Sequence, residues 1–136
     1  MKRGLILLVS ASVALICMGM GGLGGQPEGS VPKTDIDIHA QVKDRVGTTT
    51  DLNQFSMDGK TYLEAWHGKG KLSIPLQQVG TITFGEIKGD AVMAEVRLKS
   101  GEAMSLSIRS RVQFYGSTGF GAFQIASRDV ASIAIP

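Results

Sequence analysis

The chain has 136 residues, 43% of them hydrophobic and 19% charged, with 18 glycines. That length allows one modest domain and excludes a multi-domain enzyme, and the hydrophobic content excludes a disordered chain. The net charge of +2 is carried by Lys2 and Arg3 at the N-terminus; beyond them acids and bases balance, which leaves no electrostatic footprint for nucleic acid.

Residues 1–24 read as a helical secretory signal segment. Lys2 and Arg3 form a positive start, residues 5–20 an apolar run broken only by Ser10, Ser12 and Gly19, and small residues suited to a signal peptidase follow. The run is short of the ~20 residues that cross a bilayer comfortably, so cleavage is expected, and membrane attachment only if the segment is retained. Cys17 is the one cysteine. Ile16 stands where a lipoprotein signal carries a small residue, so Cys17 reads as part of the apolar run rather than as a lipid anchor. The mature chain then has no disulfide, thiol nucleophile or thiolate metal site. Residues 25–34, with Pro27, Gly29 and Pro32, read as a flexible linker.

Residues 35–136 read as a single β domain. Ile36, Ile38, Ala40 and Val42 alternate with polar residues and predict a long first strand over 36–42. Leu72, Ile74 and Leu76 alternate next; Pro75 cannot donate to a ladder and marks a strand end or an edge. Strands over 95–99 and 103–108 flank Ser100-Gly101 and predict a hairpin. Short stretches at 76–79 and 127–130 each read as a turn or a single helical turn before an apolar strand. No window in the domain carries a clean helical period.

The domain holds an internal repeat. Residues 68–84 lie on 119–135 without a gap, with Gly68/Gly119, Gly70/Gly121, Ile74/Ile125, Val79/Val130 and Ile82/Ile133 identical. Upstream, 40–47 lies on 94–101, and Leu52 on Leu106. The offset changes from 54 to 51, a three-residue difference expected in the loop around Met57, Asp58, Gly59 and Lys60. The expected fold is all-β: about ten short antiparallel strands forming a small barrel or a two-sheet sandwich. Two tandem units of about 50 residues, 35–84 and 90–136, would build it.

Reactive chemistry is sparse. No G-x-S-x-G elbow or phosphate-cradling loop is present, and no cofactor is expected. Asp35, Asp37 and His39 would share one strand face about 7 Å apart and could contribute to a divalent-cation site, although the solvated face of an amphipathic strand explains the same alternation. Two corresponding glycine-rich segments carry aromatics: Trp66, His67 and Lys69 in the first unit, and Phe114, Tyr115 and Phe120 in the second. Large aromatics beside glycines suit recognition, and the duplication could bring the two segments together at one end, but such aromatics also serve as core. The expected function is a non-catalytic periplasmic or secreted domain. It would bind another envelope or extracellular protein, an assembly subunit or a surface polymer through loops or a sheet edge. A metal- or ligand-binding protein using Asp35, Asp37 and His39 is the alternative, and a hydrolase using His67 the least supported.

Overall fold

The computed structural model describes residues 30–136, so the signal segment and most of the linker lie outside the described residues. Ten strands follow in chain order: β1 (Ala40–Asp44), β2 (Thr49–Met57), β3 (Tyr62–His67), β4 (Gly70–Pro75), β5 (Val79–Lys88), β6 (Ala91–Leu98), β7 (Ala103–Arg109), β8 (Gln113–Ser117), β9 (Ala122–Ala126) and β10 (Val130–Ala134). All neighbours are antiparallel, in the order β4-β3-β7-β6-β5-β10-β1-β2-β8-β9. This single sheet curls into a half-barrel around one core. It is neither a closed barrel nor two separate sheets, because β4 and β9 each have a strand neighbour on one side only. No helix among the described residues is long and apolar enough to cross a membrane.

Alternation builds the strands. Val92, Ala94 and Val96 of β6 are buried, and Leu106 and Ile108 of β7 lie opposite Ala94 and Val92. Pro75 ends β4, as its missing N–H requires. Leu76–Gln78 and Ser127–Asp129 each form one 3₁₀ turn feeding an extended valine, Val79 or Val130.

Two expectations need correction. The first strand begins at Ala40, because the chain bends at Asp35 and Ile36. Thr34 Oγ1 donates to the Ile36 carbonyl at 2.6 Å, and such local bonds compete with a ladder. The three extra residues of the first half are also not confined to the 57–60 turn. They spread over 54–61, because β2 carries a bulge between Asn53 and Ser56 in its pairing with β8, with Gln54 at φ 51°. The bulge bends β2, so that residues 49–52 pair with β1 and Asn53, Ser56 and Met57 pair with β8. It also turns Phe55 inward, where its ring stacks on Phe114 at 5.6 Å; Phe84 meets Phe114 edge-on at 6.1 Å.

The strand order reads the same from either end when β1–β5 are exchanged with β6–β10. The registers follow the same exchange. Ala40 faces Leu52 as Ala94 faces Leu106, and Val42 faces Ile133 as Val96 faces Ile82. Leu63 faces Ile74 as Phe114 faces Ile125, and Trp66 faces Ser107 as Ser117 faces Asn53. Turn bonds match too: the Arg45 N–H donates to Asp129 O at 3.0 Å, and the Lys99 N–H to Gln78 O at 2.8 Å. The β5–β10 rung Ile82–Ile133 lies at the centre.

Candidate functional site: an open sheet edge and a charged cleft

The two outer strands are built alike and finished differently. In the β8–β9 hairpin the Thr118 N–H donates to Gly121 O at 3.0 Å, and the Ser127 N–H donates to Val112 O at 2.8 Å. Antiparallel ladders alternate bonded and non-bonded pairs, so Phe123 and Ile125 bond to β8. Ala122, Gln124 and Ala126 turn their N–H and C=O groups away from the sheet. In the β3–β4 hairpin the Leu76 N–H donates to Thr61 O at 2.9 Å, and the same alternation turns Lys71, Ser73 and Pro75 outward. Pro75 has no N–H to offer, and Lys71 places a charge on that edge. Edge prolines and lysines are what block strand addition. The edge formed by β9 has neither; its sequence is Ala-Phe-Gln-Ile-Ala.

The aromatic segments are not one recognition patch. Phe114 is fully buried in the core against Phe55, which removes it as a binding residue. Trp66 and Tyr115 are half-buried. Every neighbouring pair is antiparallel, so the β3–β4 and β8–β9 turns leave opposite ends of the sheet rather than meeting at one. His67 and Lys69 are exposed, and the His67 imidazole has no hydrogen-bond or ion-pair partner among the described residues. Phe120 is fully exposed at the tip of the β8–β9 turn. Thr118 Oγ1 holds that turn by accepting the Phe120 and Gly121 N–H groups, each at 3.2 Å.

Asp35, Asp37 and His39 do not converge. The bend at Asp35 breaks their shared face, and among the described residues no three acidic, histidine or cysteine side chains form a metal-ligand group. Asp37 Oδ1 accepts the Gln54 N–H at 2.7 Å, and its other oxygen lies 3.9 Å from His39 Nε2. His39 itself lines a shallow groove with Gln41, Asp51 and Pro136, and the other half has a counterpart lined by Met93, Glu95, Ser105 and Gly85.

A second constellation was missed in the sequence. A cleft of ≈ 130 Å³ is lined by Asp58, Lys60, Glu64, Trp66, Lys71 and Arg109, with Met57 and Val112 beneath. Glu64 accepts from Lys60 at 2.7 Å and lies 3.0 Å from Lys71. The hydrogen bonds from Lys60 and then Lys71 hold its carboxyl below the usual carboxylate range. The bond to Glu64 in turn raises the Lys60 ammonium above its ordinary value. The Arg109 guanidinium lies 5.7 Å from the centre of the Trp66 ring, a cation–π distance. Hairpin register alone could have placed Lys71 beside Trp66 and near Glu64. Arg109 arrives through the β3–β7 pairing, which joins the two halves and leaves no local signal.

Among curated proteins and among solved structures, none matches this chain. A family model described as "Uncharacterised protein" matches residues 34–136, the whole of the β domain, and the chain belongs to that family.

Proposed function

We propose that this chain is an exported binding domain that captures an extended segment of an envelope or extracellular protein as an eleventh strand along β9. The observation that carries the reading is the contrast between the two edges. The outward positions Lys71, Ser73 and Pro75 of β4 correspond to Ala122, Gln124 and Ala126 of β9. One edge carries a charge and lacks a donor; the other offers all three N–H groups and is uncharged. Unguarded edges invite strand addition, with main-chain hydrogen bonds giving affinity and alternate side chains giving selectivity. The half-buried Phe123 and Ile125 pack against the core from β9 and would supply the apolar contacts. Phe120 at the adjoining turn would supply an aromatic anchor.

Export rests on the N-terminal pattern of a positive start, a short apolar run and small residues. Duplication of one five-strand unit is supported by the sequence repeat together with the reversible strand order and matched registers.

Matched proline substitutions test the docking mode, since an outward-facing edge position tolerates proline. The tagged protein is crosslinked in the cell envelope as parent, Gln124→Pro and Ser73→Pro. The expected result is one stoichiometric partner retained by the parent and Ser73→Pro and lost by Gln124→Pro. Equal capture by all three folded proteins would refute docking at β9. Loss with Ser73→Pro alone would move the site to β4.

A further inference from the structure

Apart from Lys71 on the guarded β4 edge, the charged cleft is not used by docking at β9, and the corresponding hairpin forms without such charges. The exchange of halves supplies an internal control: Glu64, Trp66, Lys71 and Arg109 correspond to Tyr115, Ser117, Ala122 and, past the β2 bulge, Ser56. The same hairpin therefore forms, in the same register, with none of those charges. Within the cleft three cations face two carboxylates. Asp58 Oδ1 is engaged by the Gln113 N–H at 3.1 Å, and Glu64 is shared by both lysines. The Arg109 guanidinium has no hydrogen-bond or ion-pair partner among the described residues; its contact is the Trp66 ring. A guanidinium stacked on an aromatic face keeps its N–H fork fixed and free for a planar anion.

We propose that this cleft binds a small carboxylate, held by the Arg109 fork with Lys60 and Lys71 beside it. The local excess of one positive charge matches a monoanion, whereas a dianion would leave the cleft negative. A volume of ≈ 130 Å³ corresponds to about four waters at ~30 Å³ each, enough for a carboxylate and a few carbons. The source of that carboxylate is either a free organic acid or a uronate unit of a saccharide.

Trp66 is the sole tryptophan, so emission excited selectively from tryptophan, clear of Tyr62 and Tyr115, reports on this cleft. The purified protein is titrated at constant ionic strength with acetate, D-glucuronate, D-glucose and inorganic phosphate. Saturable changes with the two carboxylates, and none with glucose, are expected. Acetate and glucuronate binding equally would assign a free acid; glucuronate binding at least tenfold more tightly would assign a uronate. Arg109→Gln should weaken binding at least tenfold, with Lys71→Gln as the second variant if the first does not fold. Glu64→Gln, which removes the internal competitor, should tighten binding severalfold, an effect that a purely structural ion network would not produce. No saturation with either carboxylate, an unchanged response in folded Arg109→Gln, an equal response to glucose, or tighter binding of phosphate would each overturn the assignment.

Discussion

At the scale of single residues, close approach and charge sharing decide what each position tolerates. Gly116 sits inside β8, where a glycine usually signals another group nearby. The neighbour is Leu52 of the same chain: a Cβ on residue 116 would lie 2.8 Å from the Leu52 Cβ and 3.0 Å from its Cδ1. The Leu52 Cβ is fixed to its backbone and cannot swing aside. Gly116→Ala should therefore destabilise the fold by about 1–3 kcal/mol, the usual cost of overpacking, measured as a lower urea midpoint with an unchanged slope. Glu64 responds to pH instead. Its carboxyl is held low by Lys60 and Lys71, so its contribution is full above the unfolded carboxylate value near 4.3 and disappears as pH falls through the lower folded value. Lys60 is raised, so its share is full below the unfolded lysine value near 10.4 and is lost as pH rises through the folded one. The difference in melting temperature between the parent and Glu64→Gln should form a plateau between about pH 5 and pH 10 and close at both ends. A difference that ignored pH would detach the network from stability.

At the scale of elements, what the sequence revealed was local. The β6–β7 hairpin, the stop at Pro75 and the turns after β4 and β9 depend on neighbours in the chain, and period-two alternation or proline chemistry exposes them. The bulge in β2 was hidden, because nothing in Asn53-Gln54-Phe55 announces that Gln54 takes a positive φ. Once the bulge is known, Phe55 and Phe114 become core partners, and Phe114 itself loses its recognition meaning. The late start of the first strand has a related cause: alternation continues through Ile36 and Ile38, but Thr34 and Asp37 offer side-chain oxygens that replace the ladder. The candidate site was legible only in pieces. Lys71 and Trp66 were visible as residues, yet their meeting with Arg109 needs the pairing of β3 with β7. The edge contrast yields its own prediction. Gln124→Lys should leave stability within about ±0.5 kcal/mol, as for an ordinary surface change, while lowering partner recovery through a charge on the open edge. A large loss of stability would mean that the outward face of β9 is already engaged within the chain.

At the scale of the whole molecule, the centre of the sheet joins its halves through the short β5–β10 pairing. Ile82 and Ile133 face one another there, both essentially buried. Each is the other's counterpart under the exchange of halves, so each meets an equivalent set of neighbours. The flanking anchors repeat the relation with different chemistry: Arg45 Nη2 donates to Gly85 O at 2.8 Å, and Lys99 Nζ donates to Pro136 O at 3.1 Å. These bonds hold the carbonyl of Gly85, within β5, and that of Pro136, just beyond β10. Ile82→Ala and Ile133→Ala should then cost nearly the same, each about 2–5 kcal/mol for a buried isoleucine truncated to alanine. Because the two side chains share one rung, the double variant should depart from the sum of the singles by about 0.5–3 kcal/mol, as residues in contact do. Denaturant unfolding of the four proteins measures both quantities. Unequal single costs would show that the halves, though matched in register, carry different packing at the joint. Additive costs would show that the central rung does not couple them.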